Sequence, residues 1–282
     1  TMSDKSSVIN YYNKTLADYQ FVYFRNNDHS MHYGYWDEKV KNYHQALVRI
    51  NGVIAERLKL KKTDLVLDAG CGLGETSFWL ANNIGCLVEG ISITKSQIVK
   101  ARKLAKEKVK GARLNFRTLD FTKTNYPDNH FDAVIAIEAI CHLEDKSDFY
   151  REMFRILKPN GRLAVAEYTL KKLKLTVVQQ KRMRNWLDGW AIPNIWTEKQ
   201  HLQALEKTGF ISVSSEDYSA KVTNAAKYLY FSALLGIPGY KIRSWLHLLD
   251  RERLKNAQSC KYQWLTKKEN LWGHNLYLAK KP

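Results

Sequence analysis

The chain has 282 residues and 45% hydrophobic content, which suits one α/β domain with insertions and allows a substantial core. Lysine and arginine exceed aspartate and glutamate by 45 − 28 = 17, so we expect an anionic partner: a nucleic acid, a membrane surface or a phosphorylated substrate. The sequence contains no apolar run long enough to span a bilayer, no signal-peptide core at its start and no CxxC pair among its four cysteines. We therefore expect a cytoplasmic protein that holds no metal.

Regular alternation of strands and helices dominates the first two thirds of the chain. Residues 1 to 60 carry helical patterns interrupted by the aromatic, polar stretch "NNDHSMHYGYW", and from 62 to 168 short apolar runs alternate with amphipathic helical patterns. Strands are predicted at 65–69, 86–91, 113–117, 131–137 and 162–169. This spacing indicates a parallel sheet with helices on both faces.

After the fifth strand the chain is predicted to be mostly helical. Residues 171 to 208 carry three tryptophans, and about fifty residues of apolar helix follow, between a predicted strand at 210–219 and another near the carboxyl terminus. No repeat or low-complexity linker separates these segments. We therefore interpret the chain as one domain with helical decorations.

A glycine-rich loop, "VLDAGCGLGET", joins the first predicted strand to the first helix of the sheet. Asp68 ends the strand, and glycines at positions 70, 72 and 74 permit a tight turn and a close approach by a ligand. The dinucleotide fingerprint is not matched, because Ser77 stands where its third glycine belongs, and no phosphate-loop signature is present. The loop predicts a nucleotide-type ligand without naming it.

The loop resembles motif I of the class I S-adenosylmethionine (SAM)-dependent methyltransferases, and the later motifs follow in that family's order across residues 62 to 168. The stretches "AIEAICH" and "FYREMFRILKPNGRLAVAEYT" are most similar to the sterol C-methyltransferase group, with tocopherol and small-molecule methyltransferases as near relatives. The amino-terminal "INYYNKTLADY" and "HSMHYGYW" resemble the lid of that group.

This resemblance implies a SAM-dependent enzyme with a Rossmann-like α/β fold. It implies a seven-stranded, mostly parallel sheet with helices on both faces and a helical cap. Residues 1–60 would form an amino-terminal helical lid, and residues 61–282 the methyltransferase domain, with cap insertions at about 171–208 and 220–270.

The resemblance also assigns the residues that hold SAM. The loop from Gly70 through Cys71 and Gly72 to Gly74 would lie under the methionine part, and Asp68 would anchor the geometry of the loop.

The adenine and carboxylate ends of SAM would be held by residues outside the loop. Asp120 would accept a hydrogen bond from the adenine amino group, and the Phe121 backbone would contact a ring nitrogen. Ile91 would pack on the adenine, and His32 is a candidate for the carboxylate end.

The ribose site departs from the family pattern. Many members have an acidic residue at the end of the second strand, where this chain has Ser92, and Glu89 comes three residues too early. In the sterol-type group a glutamine downstream can take the ribose, which here would be Gln97. The alternative for Ser92 is a polar residue that merely begins a helix.

Glu138 and His142 follow the fourth predicted strand. Ligands of open α/β sheets bind at the carboxyl ends of the strands, so we expect both residues to border the path of the methyl group. A histidine with a pKa near neutrality suits proton removal from an acceptor. We assign Glu138 to orienting SAM or the acceptor rather than to the role of principal base. The alternative for His142 is a capping or core histidine.

The cap predicts a mostly apolar acceptor site. Residues assigned to acceptor contact are Tyr12, Tyr19, Trp186, Trp190 and Trp196. We predict methyl transfer by in-line displacement to a small sterol-, isoprenoid- or quinol-like acceptor, first at carbon. The alternatives are an N- or O-methyltransferase of a polar small molecule or of an anionic or nucleic-acid substrate, and a non-catalytic SAM-binding module.

The basic charge does not by itself favour nucleic acid. Basic residues are scattered along the chain without interleaved aromatics, and the (N/D/S)PP(Y/F) motif of base-modifying enzymes is replaced by "EAIC". Most lysines are interpreted as solvated helix faces. Loose association with anionic membranes and a homodimer are left open as expectations.

Overall fold

The computed structural model describes residues 5–22, 28–109, 113–246 and 248–282, and residues 1–4 and 23–27 of the predicted lid lie outside this part of the chain. The helices are α1 (Lys5–Val22), α2 (Tyr43–Leu58), α3 (Glu75–Asn83), α4 (Lys95–Lys108), α5 (Ser147–Ile156), α6 (Val177–Gly189), α7 (Glu198–Thr208), α8 (Thr223–Trp245) and α9 (Arg251–Lys268). The strands are β1 (Leu65–Ala69), β2 (Leu87–Ser92), β3 (Leu114–Thr118), β4 (Phe131–Ile137), β5 (Leu157–Leu170), β6 (Ile211–Asp217) and β7 (Trp272–Lys280).

All seven strands form one sheet in the order β3-β2-β1-β4-β5-β7-β6. The first five run parallel, and β7 is antiparallel to both of its neighbours, β5 and β6. Strands β1 and β4 are central and almost wholly buried, which explains their continuous apolar sequences. The predicted seven-stranded, mostly parallel sheet is confirmed.

Helices cover both faces of the sheet. One face packs against α5 and α7 through Phe149, Met153 and Leu205, which are fully buried. The other packs against α2 and α3, where Ile54 and Leu80 are fully buried. Helix α2 packs on a face of the sheet. The boundary of a lid at residue 60 stays a prediction.

A helical cap stands over the carboxyl edge of the sheet. It consists of α6, α8 and α9, and α9 packs extensively on both of the others and also contacts α1. A Thr-x-x-Gln capping box begins α6: the Thr176 side chain accepts from the Gln179 backbone, and the Gln179 side chain bonds back. Within the described ranges, no helix has both the length and the apolar character needed to cross a bilayer.

Candidate active site

The glycine loop is fixed to the sheet by backbone hydrogen bonds, and its glycines serve different purposes. The amides of Gly70 and Cys71 both donate to the Ile91 carbonyl at 2.9 Å, which ties the loop to β2. Gly74 has φ 91°, and a Cβ there would lie 2.6 Å from the Phe116 ring, so packing requires this glycine. At Gly72 (φ 54°) the nearest atom to an added Cβ is the sulfur of Met31, 3.7 Å away, which leaves the backbone open to a ligand.

A cavity lies above this loop, between the end of β4 and the segment after α1; we call it the loop cavity. It encloses about 780 Å³, counting its mouth. The predicted SAM-binding residues that line it are His32, Asp68, Gly70, Cys71, Gly72, Ser92, Gln97, Phe121 and Glu138. Nine of the twelve assigned residues therefore come together in one place.

Three assigned residues do not line the loop cavity. Gly74 packs against the Phe116 ring, and Ile91, near the carboxyl end of β2, is fully buried in the core. Ile93, two residues later, lines the cavity instead, so the structure does not place Ile91 where the adenine contact was assigned. The Asp120 carboxylate forms an ion pair with Lys5 of α1 and accepts bonds from the Thr122 amide and hydroxyl, at 2.9 and 2.8 Å.

Two buried polar atoms on the wall of the loop cavity have no partner among the described residues. They are Nε2 of His32 and Oγ1 of Thr94. The other ring nitrogen of His32 donates to the Tyr33 carbonyl at 3.0 Å, which fixes the ring. Buried polar groups are rarely left unsatisfied in native proteins, so these atoms fit a polar ligand in the cavity, as does the open backbone at Gly72.

The predicted ribose residues bond to each other. The Ser92 hydroxyl donates to Oε1 of Gln97 at 2.8 Å and accepts from the Thr94 amide at 3.1 Å. Both side chains line the loop cavity. Glu89 is engaged elsewhere, because its carboxylate accepts from the Tyr126 hydroxyl at 2.5 Å. A polar pair thus replaces the carboxylate found in many members of the resembled family.

A second cavity lies under the helical cap and is lined mainly by aromatic and aliphatic side chains; we call it the cap cavity. It encloses about 890 Å³, counting its mouth. Tyr12, Tyr19 and Trp190 line it, as assigned from the sequence. At its far end Asp18 pairs with Arg253, 2.7 Å away, so the cavity is apolar along its walls and charged at one end.

The other two assigned tryptophans do not line the cap cavity. Trp186 is completely buried and packs against Trp272 and Tyr168 beneath the cavity. Trp196 packs below the ammonium group of Lys146, 5.4 Å from its ring centre. Trp186 belongs to the core under the cap, whereas Trp196 packs against the core between the sheet and helices α5 and α7, so their assignment to acceptor contact is corrected.

Sequence reasoning assigned no role in the cap cavity to four aromatic residues that line it: Tyr11, Tyr33, Tyr168 and Tyr240. A signal existed for Tyr11, because it lies eight residues before Tyr19, on the same side of α1. The hydroxyl groups of Tyr11 and Tyr19 are 2.9 Å apart. Tyr168 lies near the carboxyl end of β5, beside β4, which Glu138 follows. The rule that ligands bind at the carboxyl ends of parallel strands could therefore have found it.

The loop cavity and the cap cavity meet at four residues. Tyr12, Met31, Glu138 and His142 line both of them. Two of the four are the residues assigned from the sequence to the path of the methyl group. A group that crosses from a ligand in one cavity to a ligand in the other passes between these side chains.

Glu138 is a buried carboxylate that is saturated with donors. Its residue has φ 47°, a left-handed conformation that is strained for a glutamate and that directs the chain out of β4. The carboxylate accepts from the Tyr33 amide at 2.9 Å, from the Tyr168 hydroxyl at 2.7 Å and from Nε2 of His274 at 3.1 Å. Burial raises its pKa, but the bond and charge of His274, the charge of His32 and the Tyr168 bond outweigh this and leave the pKa below its ordinary value. Glu138 is therefore a fixed negative charge.

His142 occupies the short 3₁₀ turn Ile140–His142 and is held at both ring nitrogens. Nδ1 lies 3.0 Å from the Ala191 carbonyl and must donate to it, so in the neutral ring Nε2 accepts from the Tyr12 hydroxyl at 2.8 Å. Burial lowers the pKa of His142 to about 4, the charge of Lys146 adds to the effect, and the bond to Ala191 opposes it. At neutral pH the ring is uncharged and Nε2 can accept a proton, but the lowered pKa makes it a weaker base than the histidine with a pKa near neutrality expected from the sequence.

A second buried carboxylate positions this turn from behind. Glu167 is completely buried and accepts from the Cys141 amide at 2.8 Å. Burial raises the pKa of Glu167 to about 8 and that of the Cys141 thiol well above its ordinary value. Cys141 is therefore a protonated, buried side chain.

Comparison with known proteins identifies the class of this fold and site. A family model described as a methyltransferase domain matches residues 67–165. The chain is 35% identical over 141 residues to 27-O-demethylrifamycin SV methyltransferase of Amycolatopsis mediterranei, an alignment that covers 50% of this chain and 52% of the relative. It is 31% identical over 181 residues to sterol 24-C-methyltransferase of Kluyveromyces lactis, covering 64% and 49%. The aligned part spans about half the length of these relatives.

A solved structure extends the likeness over most of the chain. The [4+2]-cyclase SpnF matches with a TM-score of 0.74 and 25% identity, over 89% of this chain and 87% of that one. The architecture is the Rossmann-like fold of the class I methyltransferases. Residues 67–165 match a methyltransferase domain, and the predicted recognition as a class I SAM-dependent methyltransferase, with SAM as cofactor, is confirmed.

Proposed function

We propose that this chain transfers the methyl group of SAM to a small, mostly apolar acceptor that is held in the cap cavity. The observation that carries the proposal is the junction at which the loop cavity and the cap cavity share Tyr12, Met31, Glu138 and His142. Methyl transfer requires the donor and the acceptor to lie in line and at short range, and two cavities that meet at one junction allow this arrangement.

The residues of the loop cavity would hold SAM. The open backbone at Gly72 and the unpartnered ring nitrogen of His32 would receive its methionine part, and the pair Ser92 and Gln97 would receive the ribose. SAM, when bound, supplies an electrophilic methyl group on a sulfonium sulfur. Because the Lys5 ammonium occupies the Asp120 carboxylate, α1 must shift for Asp120 to reach an adenine amino group.

Methylation at carbon is the reaction that the junction supports best. An alkene that gains a methyl group becomes a cation, and the fixed negative charge of Glu138, with the faces of Tyr33 and Trp190 nearby, would stabilise that charge. The cation then loses a proton from a neighbouring carbon to form a new double bond. Nε2 of His142 would accept this proton once the acceptor has displaced the Tyr12 hydroxyl.

The lining of the cap cavity favours a sterol-, isoprenoid- or quinol-like acceptor. Its walls are mostly aromatic and aliphatic, and the carboxylates that line it are Glu138 at the junction and Asp18, which is paired with Arg253. The curated relatives include a sterol C-methyltransferase, which supports this class. O-methylation is the alternative, and neutral His142 supports it as well, because a basic nitrogen at the junction could take the proton of a hydroxyl group.

A second candidate function follows from the similarity to SpnF, whose structure is that of a [4+2]-cyclase. A cavity with apolar walls beside a bound SAM could promote cyclisation of an acceptor without transfer of the methyl group. The two functions differ in their products. Methylation adds 14 mass units to the acceptor and consumes SAM, whereas cyclisation changes neither the mass of the acceptor nor the amount of SAM.

Incubation with methyl-labelled SAM and a panel of sterols, isoprenoids and quinols tests the proposal. We expect label in an apolar product, and we expect His142→Ala to lower kcat by 10²-fold or more, on the order of a lost general base. Trp196→Phe, outside both cavities, is the matched control and should leave kcat and KM unchanged. An unlabelled isomer of the acceptor would instead establish the cyclase, and the absence of label from every acceptor of the panel would refute the acceptor class.

A further inference from the structure

Helix α8 is apolar on two opposite sides. Its inner side, with Ala225, Leu229 and Ala233 buried, packs on the cap and helps to line the cap cavity. Its outer side and the residues just after it carry seven of the thirteen large hydrophobic side chains that are exposed in the described chain, among them Leu235 (87% exposed) and Trp245 (78%). A helix that is hydrophobic all round is normally covered on every side, so the outer side of α8 lacks a cover.

The exposed residues follow helical spacing. Phe231, Leu234, Leu235, Ile242 and Trp245 recur at three-, four- and seven-residue intervals, which places them along one strip. This strip, which we call the α8 strip, lies opposite the residues that line the cap cavity. The helix is therefore a single wall between the strip and the cavity.

The charged side chains in the segment of sequence that carries the α8 strip are all basic. Residues 218 to 249 include Lys221, Lys227, Lys241 and Arg243 and contain no aspartate or glutamate. Lys227 lies one turn before the first residue of the strip, and Lys241 and Arg243 flank Ile242. The whole chain carries a net charge of +17 as well. An apolar strip with basic residues beside it is typical of a helix that lies in the interface of an anionic membrane.

We propose that the α8 strip docks on the surface of an anionic lipid bilayer, with α8 parallel to the membrane plane. A second copy of the chain is a poorer occupant, because a symmetric contact would bring two sets of four cations together with no acidic residue in the segment to compensate. Docking would place the wall of the cap cavity against the bilayer, where apolar acceptors dissolve. The proposal goes beyond methyl transfer and does not depend on it.

Sedimentation with vesicles of phosphatidylcholine, with and without phosphatidylserine, tests the docking in the absence of SAM and acceptor. Binding to the anionic vesicles is expected, with a decrease as salt is raised. Ile242→Ser and Val99→Ser form a matched pair, because these side chains are 59% and 58% exposed on helices α8 and α4. Ile242→Ser should weaken binding by about tenfold, and Val99→Ser should not change it. The double variant Lys241→Gln, Arg243→Gln should weaken it by about 25-fold, about fivefold for each charge.

Three outcomes would overturn the proposal. They are no binding to anionic vesicles at 0.1 M salt, equal loss in both members of the matched pair, and a dimer in light scattering that Ile242→Ser dissociates. Circular dichroism of each variant establishes that the fold is kept. Because the assay contains neither substrate, its failure would leave the proposed methyl transfer standing, and a failure of methyl transfer would leave docking standing.

Discussion

Lowering the pH tests whether His142 is held neutral, as the junction requires. Burial lowers the pKa of His142 from 6.5 to about 4 in the folded protein, whereas an imidazole in the unfolded chain titrates near 6.5. Between these values the unfolded state binds a proton that the folded state does not. The stability that depends on a neutral His142 is therefore complete above about pH 6.5 and is lost as the pH falls toward 4.

The structure sets the size of this effect. Each pH unit between the two pKa values contributes about 1.4 kcal/mol, so the loss from pH 7 to pH 5 is about 2 kcal/mol for this one residue. His142 is half-buried and stays below the exposure at which solvent screening requires a discount. His201, whose pKa is lowered by burial to about 3, adds a similar loss to the wild type. The variant His142→Asn removes only the first contribution and retains a polar side chain that can donate to the Ala191 carbonyl.

Urea unfolding of the wild type and of His142→Asn at pH 7 and pH 5 provides the measurement. The free energy of unfolding of the wild type should fall by about 2 kcal/mol more than that of the variant. Equal losses in the two proteins would mean that His142 titrates near its ordinary pKa in the folded state, and the assignment of Nε2 as a standing proton acceptor would be wrong. A comparison with His201→Asn shows whether the effect belongs to the junction or to buried histidines in general.

Three further predictions concern the glycine loop, Glu138 and the cap cavity. Gly74→Ala should lower the free energy of unfolding by about 3 kcal/mol, from the Cβ contact at 2.6 Å and φ 91°, whereas Gly72→Ala should cost about 1 kcal/mol yet weaken SAM binding at least tenfold by calorimetry. Glu138→Gln should lower the melting temperature and also kcat, with KM for SAM little changed, because it removes charge from a carboxylate with three donors. Trp190→Ala should raise KM for the acceptor while Trp196→Ala lowers only stability; equal effects on KM would contradict the placement of these side chains.

The sheet and the loop could be predicted because local sequence determines them. The residues of β4 are apolar except for Asp132, since both faces of that strand are covered, and the glycines follow β1 directly because the loop needs conformations that other residues disfavour. Glu138 and His142 were located by the rule that ligands bind where parallel strands end. Each of these inferences uses residues that are close in the chain.

The partners of Glu138 could not be predicted in the same way. Tyr168 and His274 are 30 and 136 residues away from it, and they become neighbours only because β7 inserts between β5 and β6 and pairs Tyr168 with His274. Helical spacing also could not show which of Trp186 and Trp190 lines the cap cavity. The two residues are four positions apart and share a side of α6, but Trp186 lies deeper in the core. Long-range register and depth within the cap depend on tertiary packing, which a single sequence does not display.

Calorimetric titration of the wild type with SAM, and with its demethylated product, tests the central claim most directly. The loop cavity, with open backbone at Gly72 and the unpartnered nitrogen of His32, predicts saturable binding of one molecule of either ligand per chain without any acceptor. If neither ligand binds, the loop cavity is not a SAM site in this chain and the proposed methyl transfer fails with it.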